Sequence, residues 1–263
     1  MKYPTQGDRL NRESLQAALG AEAQGLSLYV FDQLDSTNNE AKRIAEGQPD
    51  ADALIVAEQQ TAGRGRLGRS FYSPLGTGVY FSLLHRVSEP LENAVSVTSA
   101  AAVAVMRAIR RICGKQTEIK WVNDLYLHER KVCGILTEAV CFGGSTFVIV
   151  GIGINLSTVE FPNELCLKAG SLDAHDVSRA ALIAAIWQDL KLFLYDPADR
   201  TWLEDYRAYS CVIGRPIVWT RGEESRSGVA LAIDENGALE VLLPNGEHEL
   251  LRTGEISVRV SDA

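Results

Sequence analysis

The chain has 263 residues, of which 46% are hydrophobic, and a formal net charge of −8. At roughly 150 residues per domain, this length predicts one large domain, or one with a small companion. The acidic balance excludes general nucleic-acid affinity, because such binding depends on many Lys and Arg contacts to phosphate.

Strand and helix patterns alternate in the first part of the chain. Residues 1–27 are predicted to form a lead-in segment with a helix in "GDRLNRESLQAALG". "LSLYVFDQLD" then alternates as a strand, and "STNNEAKRIAEG" predicts a helix with a capping box of Thr37 and Glu40. "ADALIVAEQQ" and "VYFSLLHR" are predicted strands on either side of a loop rich in Gly and Arg.

Two long helices and a β-rich end are predicted further along. Apolar residues at helical spacing indicate a helix over 90–112, opened by Pro90 and closed by Gly114. "TEIKWVNDLYLHERKVCGILTEAV" predicts two strands joined by a polar turn, and "STFVIVGIGINLS" predicts a third. A second long helix is expected from Ser178. Past Ser210, short alternating strands with two Asn-Gly pairs predict a separate small β-barrel.

The loop "QQTAGRGRLGRSFYSPLGTG" has the G-x-G-x-x-G spacing of a dinucleotide-binding turn. Its three glycines are interleaved with three arginines: Gly63, Arg64, Gly65, Arg66, Gly68 and Arg69. A Rossmann turn must open a helix, whereas "RSFYSP" indicates extended chain and a turn, so NAD binding is excluded. Three arginines without stacking aromatics make too few contacts for nucleic acid. Two interpretations of this loop remain open: it is a solvated surface loop, or it binds a phosphate group that takes part in a reaction.

Cysteine use and the N-terminus indicate the compartment. Five scattered cysteines without a C-x-x-C pair predict neither a disulfide framework nor a zinc site, and the four histidines show no metal-type spacing. The polar start "MKYPTQGDRLNRE" lacks the apolar core of a signal peptide. No apolar run approaches the ~20 residues that span a bilayer. We expect a cytoplasmic protein without a membrane partner.

Four segments carry a resemblance to a known family. "STNNEAK", "QQTAGRGRLGRSFYSPLGTGVYFSL", "KWVNDLYLHERKVCGIL" and "GIGINL" occur in the order and spacing of the bacterial biotin–protein ligases. The resemblance implies an α+β catalytic domain over 28–210, with helices packed on a mixed, largely antiparallel sheet related to class II tRNA synthetases. It implies an SH3-like barrel over 211–263.

The resemblance also implies the reaction. Biotin and ATP, which carries Mg²⁺, would form biotinyl-5′-AMP and pyrophosphate. The biotinyl group would then pass to one lysine of a biotin carboxyl carrier protein, with the acetyl-CoA carboxylase subunit as the expected target. Because the lead-in segment is too short for the helix-turn-helix of some members, no DNA-binding repressor activity is expected. Both a monomer and a homodimer remain open.

The matching motif positions imply site residues. Arg66 and Lys131 would be catalytic. Biotin would contact Ser36, Thr37, Asn38, Gln60, Arg64, Gly65, Arg66, Lys131, Gly134, Leu136, Gly151 and Gly153. The nucleotide would contact Arg64, Arg66, Arg69, Trp121, Asn123, Asp124 and Asn155, with Asp124 holding Mg²⁺.

The chemistry explains why two cations are expected. Adenylation brings a carboxylate onto an α-phosphate, and at ~4 Å such a repulsion costs on the order of 4 kcal/mol at an effective dielectric near 20. Left unopposed, this is roughly a thousandfold in rate. Fixed cations near the reacting atoms are therefore suited to this reaction. Separately, residues 61–73 are expected to become ordered over the adenylate and to exclude water from it.

Several residues have simpler interpretations. Ser36 and Thr37 could serve solely as helix caps, without a role in binding. Lys131 could be an exposed turn lysine, and each strand glycine could mark a β-bulge. Val122 stands where the family commonly has Pro, and Leu67 where some members carry Arg. Two rival functions are a lipoate–protein ligase on the same fold and a catalytically inactive sensor or regulator.

Overall fold

A seven-stranded sheet forms the centre of the larger part of the protein. The computed structural model describes residues 9–48, 52–87, 94–221, 224–252 and 259–260. The strands are β1 (Leu26–Leu34), β2 (Asp52–Gln60), β3 (Gly78–Val87), β4 (Glu118–Lys120), β5 (Asp124–Leu127), β6 (Arg130–Phe142) and β7 (Ser145–Asn155). Their order is β1-β2-β3-β7-β6-β5-β4, with β1–β2 parallel and every other pair antiparallel. The expected mixed, largely antiparallel sheet is confirmed.

The segment 117–140 contains three strands, where the sequence predicted two. Residues 121–123 form a turn that folds β4 back onto β5, so that Lys120 pairs with Asp124. The turn directs Trp121 and Val122 into the core, where they are 4% and 0% exposed. Burial of these two apolar side chains thus divides the single strand that the sequence pattern predicted into β4 and β5.

Helices cover both faces of this sheet. They are α1 (Arg12–Leu19), α2 (Thr37–Glu46), α3 (Ala94–Cys113), α4 (Arg179–Tyr195) and α5 (Thr201–Ala208). The helices α1, α3, α4 and α5 enclose the main hydrophobic core, whereas α2 packs Ala41 and Ala45 on the other face. The lead-in helix, the helix after Ser178 and the stop at Gly114 are confirmed, and the predicted start at Pro90 lies outside the described residues. Helix α5 was not predicted.

The C-terminal part forms a second, smaller sheet. Its antiparallel strands are β8 (Pro216–Arg221), β9 (Glu224–Ile233), β10 (Leu239–Leu242), β11 (His248–Leu251) and β12 (Arg259–Val260), in the order β11-β10-β9-β8-β12. Both Asn-Gly pairs form the predicted turns, with Gly237 and Gly246 at positive φ. Within the described residues this sheet is open, so closure into a barrel is not confirmed.

The β9–β10 turn joins the small sheet to the large domain. The indole N–H of Trp121 donates to the carbonyl of Gly237 at 2.9 Å, and the Ser96 hydroxyl donates to the carbonyl of Asn236 at 3.0 Å. A Cβ at Gly237 would lie 2.8 Å from Ser99 Oγ, so a side chain there would clash with α3. The small sheet therefore contacts α3 and the β4–β5 turn.

A buried ion pair joins the lead-in segment to the sheet and α4. The Arg179 guanidinium donates to both oxygens of Glu58, at 2.7 and 3.0 Å, and the two side chains are 1% and 6% exposed. The backbone N–H of Leu10 donates to the same carboxylate at 2.7 Å. Both charges are thus compensated inside the core.

The cysteines and the helices bear on disulfide bonding and on membrane insertion. All five cysteines are free in the structure. None of the described helices combines the length and apolar composition needed to cross a membrane.

Candidate active site

A strip of small residues lies on the face of the large sheet that α2 covers. The cross-strand register pairs Gly134 with Gly153, and Leu136 with Gly151. Since alternate residues of a strand share a face, all four lie on one side of the sheet. The three glycines leave space above the sheet, which the side chains of Asn38 and Phe71 occupy, and we call this strip with its bordering groups the slot.

Buried polar groups at the start of α2 border the slot. Ser36, Thr37 and Asn38 are 2%, 4% and 3% exposed. Gln60 Oε1 accepts hydrogen bonds from the Thr37 backbone N–H at 2.8 Å and from the Thr37 hydroxyl at 3.2 Å. The Thr37 hydroxyl also accepts from the Ser82 hydroxyl at 2.8 Å. Thr37 and Gln60, both assigned to biotin by the resemblance, are therefore in direct contact.

The predicted capping box is wrong. Ser36 is the N-cap residue of α2, but its side chain makes no capping hydrogen bond, and Glu40 instead pairs with Arg43 at 2.7 Å. Thr37 is the first helical residue, and its hydroxyl binds Gln60 in the adjacent strand. A tertiary contact thus takes the hydroxyl that the local pattern assigned to the helix end.

Asn38 occupies the side of the slot above Gly151. Its Oδ1 accepts from the Ser82 hydroxyl at 2.6 Å, and its Nδ2 donates to the Leu136 carbonyl at 3.3 Å. A Cβ at Gly151 would lie 2.0 Å from Asn38 Oδ1. Gly151 therefore provides space for a neighbouring side chain, and the register across Leu136 and Gly151 shows no shift.

The Gly/Arg loop folds back on itself as a short β-like hairpin. Gly65 N–H donates to the Arg69 carbonyl at 2.7 Å, and Phe71 N–H donates to the Gly63 carbonyl at 2.8 Å. A Cβ at Gly63 would lie 2.4 Å from the Phe71 carbonyl oxygen, so glycine is required for this close approach. A single 3₁₀ turn over 66–68 is followed by extended chain, which confirms that no Rossmann helix opens there.

Phe71 is a slot residue that the sequence reasoning missed. A Cβ at Gly153 would lie 2.6 Å from the Phe71 ring, and one at Gly134 would lie 3.2 Å from it. The ring also packs edge-on against Tyr80, with centroids 6.5 Å apart. Its position directly after the arginines was a signal for this contact, because the hairpin returns the chain to the strip.

Arg66 is partly buried beside the slot. Its Nη1 donates to Asn123 Oδ1 at 3.1 Å, while its buried Nη2 has no hydrogen-bond partner among the described residues. Burial lowers the pKa of Arg66, and the negative charge of Asp124 partly offsets this effect. An incompletely hydrogen-bonded buried cation is suited to receive an anion.

Lys131 is the second cation near the strip. Its Nζ lies 2.7 Å from Asp124 Oδ1, and the two side chains are 31% and 21% exposed. The Lys131 side chain also approaches Gly134, where a Cβ would lie 3.0 Å from Lys131 Cε. Lys131 is thus partly buried and paired, unlike the exposed turn lysine that its sequence position alone would favour.

Arg64 and Arg69 differ from Arg66 in their surroundings. Arg64 Nη1 and Nη2 donate to the two oxygens of Glu138, at 2.9 and 3.1 Å, and Nη1 also donates to Asn39 Oδ1 at 3.2 Å. Arg69 is exposed. The three arginines of the loop therefore lie in three different environments.

Trp121 and Asn155, which the resemblance assigned to the nucleotide, are both buried and hydrogen-bonded to backbone carbonyls. The Trp121 side chain is buried against the small sheet through Gly237. Asn155 is 4% exposed, and its Nδ2 donates to the Gly170 carbonyl at 3.0 Å. Its buried Oδ1 has no hydrogen-bond partner among the described residues, so this oxygen can accept a donor from a ligand.

A cavity of about 750 Å³ opens next to Asn155. Gly170, whose carbonyl accepts from Asn155, is one of the residues that line the cavity. The remaining walls come from the β5–β6 turn and from the segment 158–171. Tyr72 of the Gly/Arg loop reaches Phe161 in this wall, with ring centroids 6.2 Å apart. The sequence reasoning assigned no role to this segment, whose composition shows no periodic pattern.

No metal centre is present among the described side chains. The described residues contain no group of three or more His, Cys, Asp or Glu placed to hold a metal ion. Asp124, the predicted Mg²⁺ ligand, has Lys131 beside its carboxylate.

Comparisons with known proteins identify a family. The biotin/lipoate A/B protein ligase family matches residues 30–155, and the biotin protein ligase C-terminal domain matches residues 212–259. The chain is 34% identical to the bifunctional ligase/repressor BirA of Bacillus subtilis, covering 88% of this chain and 74% of that protein. It is 33% identical to a biotin–[acetyl-CoA-carboxylase] ligase of Paracoccus denitrificans, covering 81% and 92%. A biotin protein ligase from Aquifex aeolicus, solved with biotin and ATP, superposes with a TM-score of 0.76 at 28% identity over 89% of this chain and 99% of that one.

Proposed function

Since the chain belongs to the biotin/lipoate A/B protein ligase family, we propose that it is an ATP-dependent biotin–protein ligase. It activates biotin as biotinyl-5′-AMP with release of pyrophosphate, and then transfers the biotinyl group to a lysine of a biotin carboxyl carrier protein. One observation carries this proposal within the family. Two partly buried cations, Arg66 and Lys131, lie beside a slot bordered by hydrogen-bonding groups.

The polar end of the slot is suited to a ureido ring. Such a ring offers two N–H donors and one carbonyl acceptor, which need matched partners in an otherwise apolar site. The proposed partners at this end are the side chains or backbone of Ser36, Thr37, Asn38, Gln60, Arg64 and Gly65. A site built on buried polar groups rejects analogues that leave those groups unpaired.

The floor and the cationic end of the slot complete the biotin site. Gly134, Gly151 and Gly153 allow close approach of the bicyclic ring and the acid tail, with Leu136 and Phe71 as apolar contacts. The carboxylate then lies near Arg66 and Lys131. Because Phe71 lies over Gly134 and Gly153, we propose that its ring moves off the strip when biotin enters.

Adenylation follows from this arrangement. A biotin carboxylate oxygen attacks the α-phosphorus, the bond from phosphorus to the pyrophosphate oxygen breaks, and Arg66 and Lys131 oppose the repulsion between the anions. The acceptor lysine amine then attacks the acyl carbon, the bond from that carbon to the AMP oxygen breaks, and the amine loses a proton. Both steps leave the protein chain unchanged.

The nucleotide side is proposed around the cavity beside Asn155. The free Oδ1 of Asn155 would accept from an amino group, Asn123 would hold Arg66 toward the phosphates, and Arg69 would add charge at the surface. Trp121 shapes this region from behind, because its indole faces the small sheet. Mg²⁺ would enter as the counter-ion of ATP, held chiefly by phosphate oxygens, with Asp124 as the protein carboxylate nearest the reacting groups.

The remaining parts of the proposal concern partners and the small sheet. The carrier is proposed to be the biotin subunit of acetyl-CoA carboxylase, as the name of the Paracoccus relative indicates for that protein. A net charge of −8 supports a function without nucleic acid, and a cytoplasmic location is proposed. We propose that the C-terminal sheet is SH3-like. The domain limits 28–210 and 211–263 and the absence of repressor activity remain predictions, and both a monomer and a homodimer remain open.

A pyrophosphate-exchange assay tests the function. Purified protein is expected to exchange labelled pyrophosphate into ATP only when biotin is present, and to label a carrier domain with biotin. Exchange with lipoate in place of biotin would favour a lipoate ligase, because lipoate lacks the ureido ring. Absence of both exchange and labelling would favour an inactive sensor.

A further inference from the structure

Glu138 connects three elements around the slot. Alternation along β6 places Gly134, Leu136 and Glu138 on the same face, so Glu138 stands at the end of the strip. Its side chain is 19% exposed and faces α2 and the Gly/Arg loop. No part of the proposed chemistry uses this carboxylate.

The Glu138 carboxylate is shared by two cations and an amide. Arg64 donates to both of its oxygens at 2.9 and 3.1 Å, and Lys42 donates to Oε1 at 2.8 Å. Asn38 Nδ2 donates to Oε2 at 2.9 Å. Bidentate pairing with a guanidinium fixes orientation as well as charge.

The carboxyl group is ionised in this setting. Burial of Glu138 alone would raise its pKa, but hydrogen bonds from Lys42 and Asn38 and the charges of Arg64 and Lys42 outweigh burial, and the net pKa is lowered. A carboxyl group whose pKa is lowered by folding stabilises the folded state at pH values above its unfolded-state pKa. This stabilisation is lost as the pH falls through its folded-state pKa. At neutral pH the Glu138 carboxylate is therefore ionised and its ion pair with Arg64 is formed.

The loop is attached to the rest of the protein at two points. Arg64 binds Glu138 at the end of the strip, and Arg66 binds Asn123 between β4 and β5. Between these two attachments, Phe71 lies over Gly134 and Gly153. Arg66 is proposed to contact the ligand through its guanidinium. The Arg64 guanidinium is occupied by Glu138 and Asn39, so Arg64 is proposed to contact biotin through its backbone.

We propose that Glu138 is a positioning residue, which holds the Gly/Arg loop closed over the bound adenylate by fixing Arg64. This inference rests on the proposed function. Glu138 does not touch the reacting atoms, and its effect is on how long the loop retains biotinyl-5′-AMP. Lys42 and Asn38 keep the carboxylate in place on the α2 side.

The test compares Glu138→Gln with a matched control, Glu40→Gln. Glu40 lies on α2 and pairs only with Arg43 among the contacts above, so its loss leaves the loop attachment intact. With biotin and ATP bound, Glu138→Gln is expected to release labelled adenylate about tenfold faster than wild type, the lower end for a charge-assisted hydrogen bond. Trypsin should cleave the loop at its arginines faster by a similar factor, while Glu40→Gln matches wild type.

A double-mutant cycle separates positioning from general stability. Arg64→Gln removes the loop partner of Glu138, and it tests the contact even if Glu138→Gln fails to fold. If Glu138 acts through Arg64, the double variant releases adenylate no faster than the faster single variant. Additive effects, or adenylate release and loop cleavage in Glu138→Gln equal to wild type, would overturn the inference.

The proposed function and this inference fail in different ways. If wild type shows no biotin-dependent pyrophosphate exchange, the proposed function is wrong. If wild type exchanges normally and the Glu138 variant retains adenylate as wild type does, only the role of Glu138 is wrong.

Discussion

Replacing Arg66 by glycine is expected to shorten the lifetime of enzyme-bound biotinyl-5′-AMP by about a hundredfold. The change removes a partly buried cation whose Nη2 has no hydrogen-bond partner among the described residues. A charge-assisted hydrogen bond contributes about 1.5–3 kcal/mol, and each 1.4 kcal/mol is about tenfold in dissociation. The lifetime is measured by chasing labelled adenylate with an excess of unlabelled biotin and ATP. Escaped adenylate should also acylate lysines of a bystander protein.

Two variants in the same loop act as controls for charge and for flexibility. Arg66→Lys keeps the charge without the planar fork, and it should recover part of the lifetime. Leu67→Gly introduces glycine at the neighbouring residue, which is 56% exposed and has φ of 56°, so it adds flexibility without removing charge. An equally short lifetime in Leu67→Gly would show that loop stiffness, rather than the guanidinium, retains the adenylate.

Replacing Arg179 by methionine is expected to destabilise the fold by about 3–5 kcal/mol. The substitution leaves the Glu58 carboxylate buried at 6% exposure without its bidentate partner, and removing one member of a buried pair strands the other charge. For a protein of this size, the melting temperature should fall by roughly 10 °C. Thermal unfolding followed by circular dichroism, with denaturant titration as a second probe, measures the loss.

A double substitution identifies the cause of this loss. Glu58→Leu combined with Arg179→Met removes both charges, and it should be less destabilising than Arg179→Met alone, although Leu10 N–H loses its acceptor. Arg43→Met breaks the exposed pairs with Asp35 and Glu40, and it should lower the melting temperature less than Arg179→Met does. The double variant could instead lose as much stability as Glu58→Leu and Arg179→Met lose separately, added together. That result would attribute the loss to packing and not to an unpaired buried charge.

The family resemblance assigned these residues to one biotin site, and the structure brings several of them into contact. Thr37 and Gln60 lie 23 positions apart and share a hydrogen bond, and Gly134 pairs with Gly153 in adjacent strands. These contacts follow from strands whose apolar patterns define both the element and its buried face. The pattern also contained Glu138, in phase with Gly134 and Leu136, although it was not identified.

Local patterns were misleading where a distant group competed for the same atoms. The Thr37 hydroxyl binds Gln60 and Ser82 instead of capping α2, and the Trp121 indole donates to Gly237, 116 positions away. The β-pattern of the C-terminal segment predicted its turns but not whether the sheet closes. Alternation defines faces and turns, whereas closure depends on how the edge strands meet.

By itself, the amino-acid sequence determined the class of fold, the order of most elements and the cations around which the proposed reaction is built. Only the tertiary structure decided how the charges are partnered: Arg64 with Glu138, Lys131 with Asp124, and Arg179 with Glu58 across 121 positions. The physical reason is that periodicity acts over a few residues, while ion pairing depends on distance and burial in the folded chain. Any of several carboxylates could have neutralised each cation, and packing selected one.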